Sequence, residues 1–311
     1  MDKSKIIKII GNLLMCVSLV YIIVSFTKYD LDFSFLSNLN ILFLVIIFIF
    51  TYSGMVFIMG YSWTRILRFL SRKQISYSQC YPIYAKSGLG KYIPGNFMHY
   101  AARNIMGSNL GMSQLDIGIS SVIEVSVICI TAFIWSCLLA GTTFFSLLST
   151  YTGNISIKVV ALVFLLVVAL TVLTVWIVRH KNVHSFLNRC RELANINLLK
   201  LLFGNISIQT ITFLIPGFIL VVIISWNAPI LISDFRLILA AFIVSWVIGF
   251  VVPGAPGGIG VREAVLTLML QDICAKEAIL IAVVIQRLIS VLGDLSAYII
   301  SLVLVSFRKT E

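Results

Sequence analysis

The sequence predicts an all-α fold, a polytopic transmembrane helical bundle of about seven to eight spans with two segments broken by glycine and proline. Three observations predict it. Of 311 residues, 60% are hydrophobic and 11% charged, whereas a soluble domain carries roughly 25% charged residues. Apolar runs of about the 20 residues needed to cross a bilayer recur along the chain. Only short polar stretches separate them, so residues 1–311 read as a single transmembrane domain.

In the first expected span, residues 6–26, an apolar run to Phe26 follows Lys3, Lys5 and Lys8 like a signal peptide. It exceeds the 7–15 residue core of such peptides and no clear small-x-small cleavage site follows. It is expected to remain as the first helix. Further spans are expected at 39–61, 117–140, 157–178, 201–225, 236–252 and 278–306. Basic clusters lie before the first span, after the second (Arg65, Arg68, Arg72, Lys73) and between 179 and 200. The positive-inside rule makes these loops and the N-terminus cytoplasmic. The net charge of +11 therefore reads as a topology signal rather than as affinity for nucleic acid.

Two moderately apolar segments, 77–100 and 253–274, interrupt the pattern. The first contains Ser87-Gly88-Leu89-Gly90-Lys91-Tyr92-Ile93-Pro94-Gly95-Asn96 and continues through His99 and Tyr100 to Arg103. The second runs Pro253-Gly254-Ala255-Pro256-Gly257-Gly258-Ile259-Gly260-Val261-Arg262-Glu263. Glycine and proline at this density break helices, and backbone freed at membrane depth survives only against protein or a water-filled cavity. Interrupted segments at matching places in two halves point to a transporter's substrate site, and helix N-termini there favour an anionic group. The competing reading is a pair of tight turns at head-group level. If 77–100 crossed fully, the 179–200 cluster would move outside, so the segment is expected to be re-entrant. Segment 253–274 stays open between a hairpin and a broken crossing, although Arg308 and Lys309 favour a cytoplasmic C-terminus. Neither glycine run ends in Gly-Lys-Ser/Thr, so no nucleotide loop is read.

A charged side chain at the centre of a span costs about 2.5–3.5 kcal/mol and so faces a partner or a cavity. Glu124, Arg287 and Asp294 are such residues. Arg287 and Asp294 share a helix face, but seven residues rise about 10.5 Å, so each should pair elsewhere, with Glu124 or Glu263 a candidate for Arg287. Lys91, Arg103, Arg262 and Arg287 are candidates to bind a lipid phosphate, and Glu124, Glu263 and Asp294 to couple protons or ions. His180 and His184 share a spacing seen in zinc sites but lack a clear third ligand, and no cofactor or metal is expected. The six cysteines form no Cys-x-x-Cys pair. Asn154-Ile155-Ser156 is a sequon on the expected outer side. Tyr29, Trp63 and Trp226 fit interfacial anchors.

Tyr92 to Asn96 and Pro256 to Glu263 resemble the Tyr-x-Pro-Gly-Asn and Pro-Gly-Gly-x-Gly-x-x-Glu motifs of the lysylphosphatidylglycerol synthase transmembrane (flippase-like) family. The match extends through His99, Tyr100, Arg103 and Arg262, and the hydropathy profile agrees over most of the chain. The resemblance implies a stand-alone membrane module of the cell membrane without the aminoacyl-transferase domain. Taken with the charge reading that adds Lys91 and Arg287, it gives as candidate substrate-binding residues Lys91, Tyr92, Pro94, Gly95, Asn96, Arg103, Pro256, Gly257, Gly258, Gly260, Arg262, Glu263 and Arg287. It also implies handling of an anionic phospholipid or a polyprenyl-phosphate-linked glycan in envelope biogenesis. A membrane-embedded enzyme acting on a lipid-linked sugar or phosphate is the rival reading. A non-transporting scaffold for envelope enzymes is the third. No catalytic set is legible, because the acids are isolated rather than clustered.

Overall fold

The computed structural model describes residues 37–71, 73–92, 98–109, 111–152, 196–251, 258 and 260–309, and among them every regular element is helical. In chain order these are α1 (Leu39–Ser71), α2 (Tyr77–Gly88), a 3₁₀ turn (Leu89–Tyr92), α3 (Met98–Ser108) and α4 (Gln114–Thr152). They continue with α5 (Ile196–Ser225), α6 (Ile232–Val251), α7 (Val261–Leu270) and α8 (Lys276–Lys309). Within α1, α4, α5, α6 and α8 lie five segments long and apolar enough to cross a membrane. The expected spans 6–26 and 157–178, the His180/His184 pair, Asn154 and Tyr29 lie outside the described residues.

Residues 62–70 continue α1 beyond the expected end at 61, because Trp63, Ile66, Leu67 and Leu70 are buried against neighbouring helices while Arg65 and Arg68 stay partly exposed. The apolar residues left uncovered, such as Phe43, Phe50, Phe203 and Ile299, suit a surface solvated by hydrocarbon rather than water.

Side-chain contacts fix the helix directions. Tyr52 lies beside Gly293 while Val56 and Ala297 share a cluster, so α1 and α8 are parallel. Ile66 and Leu70 pack on the start of α4, and Val45 packs in the same core as Ile128 and Ala132, so α4 is antiparallel to α1. Phe213 meets Trp246 and Gly217 meets Leu239, which sets α6 antiparallel to α5. The main core joins α1, α4, α5, α6, α7 and α8 through residues such as Phe213, Leu220, Ile223, Ile238, Leu266 and Ile285. Apolar packing alone gives little drive inside a bilayer, and hydrogen bonds between helices add to it. Trp63 Nε1 donates to Ser120 Oγ at 2.8 Å, Trp135 Nε1 donates to Thr210 Oγ1 at 2.9 Å, and Ser62 donates to Asn205.

At about 1.5 Å per residue, the 12 residues of α2 and the 11 of α3 are each too short to cross a hydrocarbon core of about 30 Å. They pack on each other and reverse the chain at the 3₁₀ turn. Gly90 permits the reversal: a Cβ there would stand 3.0 Å from the backbone N and Cα of His99. The start of α2 and the end of α3 return to the same end of the bundle, since Ile75, Gln79, Met112 and Ser113 line one cavity of about 190 Å³. α7 likewise runs back along α6, with Arg262 against Gly249, and Val265 and Met269 packed near Val244 and Ala240.

Candidate functional site

A cavity of about 220 Å³ lies among the middle portions of the long helices and is bordered by the 3₁₀ turn, α3 and α7. Its apolar wall comes from residues such as Met55, Val56, Phe213 and Phe242. Its charged lining comprises members of three ion pairs together with Arg262.

The first pair joins the 3₁₀ turn to α8. Lys91 Nζ lies 2.6 Å from Asp294 Oδ2, and Tyr92 Oη donates to the same oxygen at 2.5 Å. Tyr52 of α1 completes the group, its hydroxyl 3.5 Å from Lys91 Nζ. Glycine at 293 allows this close packing, because a Cβ there would stand 2.7 Å from the Tyr52 ring.

The second pair joins α3 to α4. Arg103 donates to Glu124, whose other carboxylate oxygen accepts from Tyr84 Oη at 2.8 Å. Both side chains are almost fully buried, at 2% and 3% exposure. The Arg103 guanidinium lies 4.2 Å from the Tyr84 ring centre and 5.0 Å from that of Trp63. Trp63 is thus a buried core residue rather than the interfacial anchor its position suggests. The reason is that α2 folds back over the end of α1 and covers it.

The third pair joins α7 to α8. Arg287 Nε donates to Glu263 Oε1 at 2.6 Å, and Glu263 is buried in the first turn of α7. That helix starts from Gly260 at φ +84°, a conformation open to glycine and strained for other residues. The Glu263 Oε2 atom is buried without a hydrogen-bond partner among the described residues.

Arg262 differs from these cations. Its guanidinium lies 5.5 Å from the ring centre of Trp246, which stacks on Phe250, and its stem crosses the bare backbone of Gly249 and Gly258. Among the described residues its buried Nε has no hydrogen-bond partner and no carboxylate forms an ion pair with it.

Of the residues expected at the site, Lys91, Tyr92, Arg103, Glu124, Gly258, Arg262, Arg287 and Asp294 all line this cavity. Glu263 stands behind Arg287, and Gly260 caps α7. Pro94, Gly95, Asn96, Pro256 and Gly257 lie outside the described residues. Of the two candidates for Arg287, Glu263 is its partner, and Glu124 is taken by Arg103. Sequence reasoning missed Tyr52, Tyr84, Trp246, Gln209 and Gln286. The two glutamines carried a usable signal, since a polar amide inside an apolar span is expected to find a partner. Gln286 Nε2 donates to the Pro216 carbonyl at 2.5 Å.

Comparison with known proteins adds nothing to this geometry: the chain matches no family model, no curated protein and no solved structure.

Proposed function

We propose that this chain is a flippase-like membrane protein that handles the anionic head group of a phospholipid or a polyprenyl-phosphate-linked glycan in the cell membrane during envelope biogenesis. The carrying observation is the charged cavity, walled by ion pairs and located between the middles of helices whose outer faces are apolar. Buried charge is costly in a bilayer and is retained where a polar substrate passes. At about 220 Å³ the cavity is smaller than the roughly 300–1,000 Å³ typical of sites that engulf a whole drug-sized ligand. A head group fits that scale, with its tails left in the bilayer.

The meeting of Lys91, Tyr92 and Arg103 with Arg262 and Arg287 around one cavity, with Glu263 paired to Arg287 behind it, supports the family resemblance of the two motifs. The hairpin of α2 and α3 supports a re-entrant first segment. The return of α7 along α6 supports a second segment that crosses once in broken form. Arg65, Arg68, Lys73 and Lys200 gather at the end of the bundle where that hairpin begins, whereas Asp234, Arg236, Asp272 and Lys276 occupy the other end. The basic end is our cytoplasmic side by the positive-inside rule.

Each cavity carboxylate is already engaged by a cation, which suits charge balancing better than general-base chemistry. Product analysis tests this choice. Incubation of the purified protein with a labelled phospholipid and a labelled polyprenyl-phosphate sugar should return both unchanged, and a converted product would favour the enzyme reading.

A further inference from the structure

We infer that the cavity recognises a single phosphodiester-type negative charge, and that Arg262 is the side chain that receives it. The inference deepens the head-group reading above and rests on it. Four cations, Lys91, Arg103, Arg262 and Arg287, stand against three carboxylates, Glu124, Glu263 and Asp294. Three of the cations are matched one to one. Among the described residues, the unmatched positive charge is on Arg262. The sequence between Tyr92 and Met98 and between Val251 and Gly258 contains no acidic residue that could match it.

The surroundings of Arg262 fit the role. Glycines 249 and 258 give its stem a slot without side chains: a Cβ at Gly249 would stand 2.7 Å from Arg262 Cγ, and one at Gly258 would stand 2.8 Å from Nε. Trp246 supports one face of the guanidinium, and its buried Nε–H lacks an acceptor. A planar fork with free donors is suited to two oxygens of one phosphate. A diphosphate would bring more negative charge than the cavity leaves unmatched, and would have to break an existing ion pair to be balanced.

Binding to the full-length protein in a maltoside detergent, which carries no phosphate, tests the inference by calorimetry. The probes are dihexanoyl phosphatidylglycerol, uncharged dihexanoylglycerol, tail-less glycerophosphoglycerol and farnesyl diphosphate. The phosphatidylglycerol should bind at least about tenfold more tightly than dihexanoylglycerol, as loss of a charged hydrogen bond implies, and more tightly than the diphosphate. Arg262→Gln should remove that advantage, and Arg262→Lys should keep part of it. A tighter diphosphate, or equal binding of the charged and uncharged diacyl probes, overturns the inference in the wild-type protein without recourse to a variant. Undiminished binding by Arg262→Gln overturns it as well. Weaker binding of the tail-less probe than of the lipid identifies a lipid as the source of the anion, and equal binding identifies a free phosphodiester. Arg262-dependent binding without leaflet movement would sink the translocation reading alone.

Discussion

Lys91, in the turn between α2 and α3, closes a 2.6 Å ion pair with Asp294 in the middle of α8. The contact ties the first broken segment to the last helix, while Arg287 of that helix holds Glu263 of the second. α8 is therefore the element that both segments grip through an ion pair.

Asp294→Asn should destabilise the protein by about 1–2 kcal/mol, less than a fully buried pair costs because Lys91 is one-third exposed. Lys91→Met with Asp294→Asn should be less destabilised than the two single effects summed. Thermal unfolding of the four proteins in detergent checks this, and strict additivity would show that the pair is not coupled.

The Arg103–Glu124 pair should behave differently because both groups are buried. Arg103→Met or Glu124→Leu alone should cost about 3–5 kcal/mol by leaving the partner charged and unpaired. Combining the two should restore most of the stability. Recovery of folded protein by size-exclusion chromatography and melting temperature reads the outcome.

Gly90→Val places a branched side chain against the backbone of His99. Overpacking of this kind costs about 1–3 kcal/mol. Gly88→Ala, where a Cβ meets nothing within 4 Å, should be neutral or stabilising by up to about 1 kcal/mol. Equal melting temperatures for the two variants would remove the tight reversal from the account.

Sidedness follows from the helix directions. Cysteines introduced at 68 and 200 in a background lacking the native ones should resist a membrane-impermeant maleimide added to intact cells, and a cysteine at 276 should react. Labelling at 68 but not at 276 would invert the orientation.

The helical class and the five described spans were legible because uncharged apolar runs of bilayer length are the hallmark of membrane-crossing helices. The site residues were legible for a related reason: Glu124, Arg287 and Asp294 stand out against an apolar background. Their pairing was not. Arg287 had two equal candidates, and only the return of α7 along α6 brings Glu263 to it. Trp63 was misread because its place in sequence, after an apolar run and before Arg65 and Arg68, is that of an anchor. The covering hairpin that buries it is a tertiary event. Tyr52 and Trp246 carried no signal, since an aromatic in an apolar span looks the same facing lipid or cavity.

The most direct measurement is leaflet sidedness in proteoliposomes containing a labelled phospholipid and a labelled polyprenyl-phosphate sugar, comparing wild type with Glu263→Gln. The account predicts faster appearance of one of these lipids in the opposite leaflet with the wild-type protein, and loss of that movement in the variant despite normal insertion. No movement of either lipid with wild type, or unchanged movement with Glu263→Gln, would contradict it.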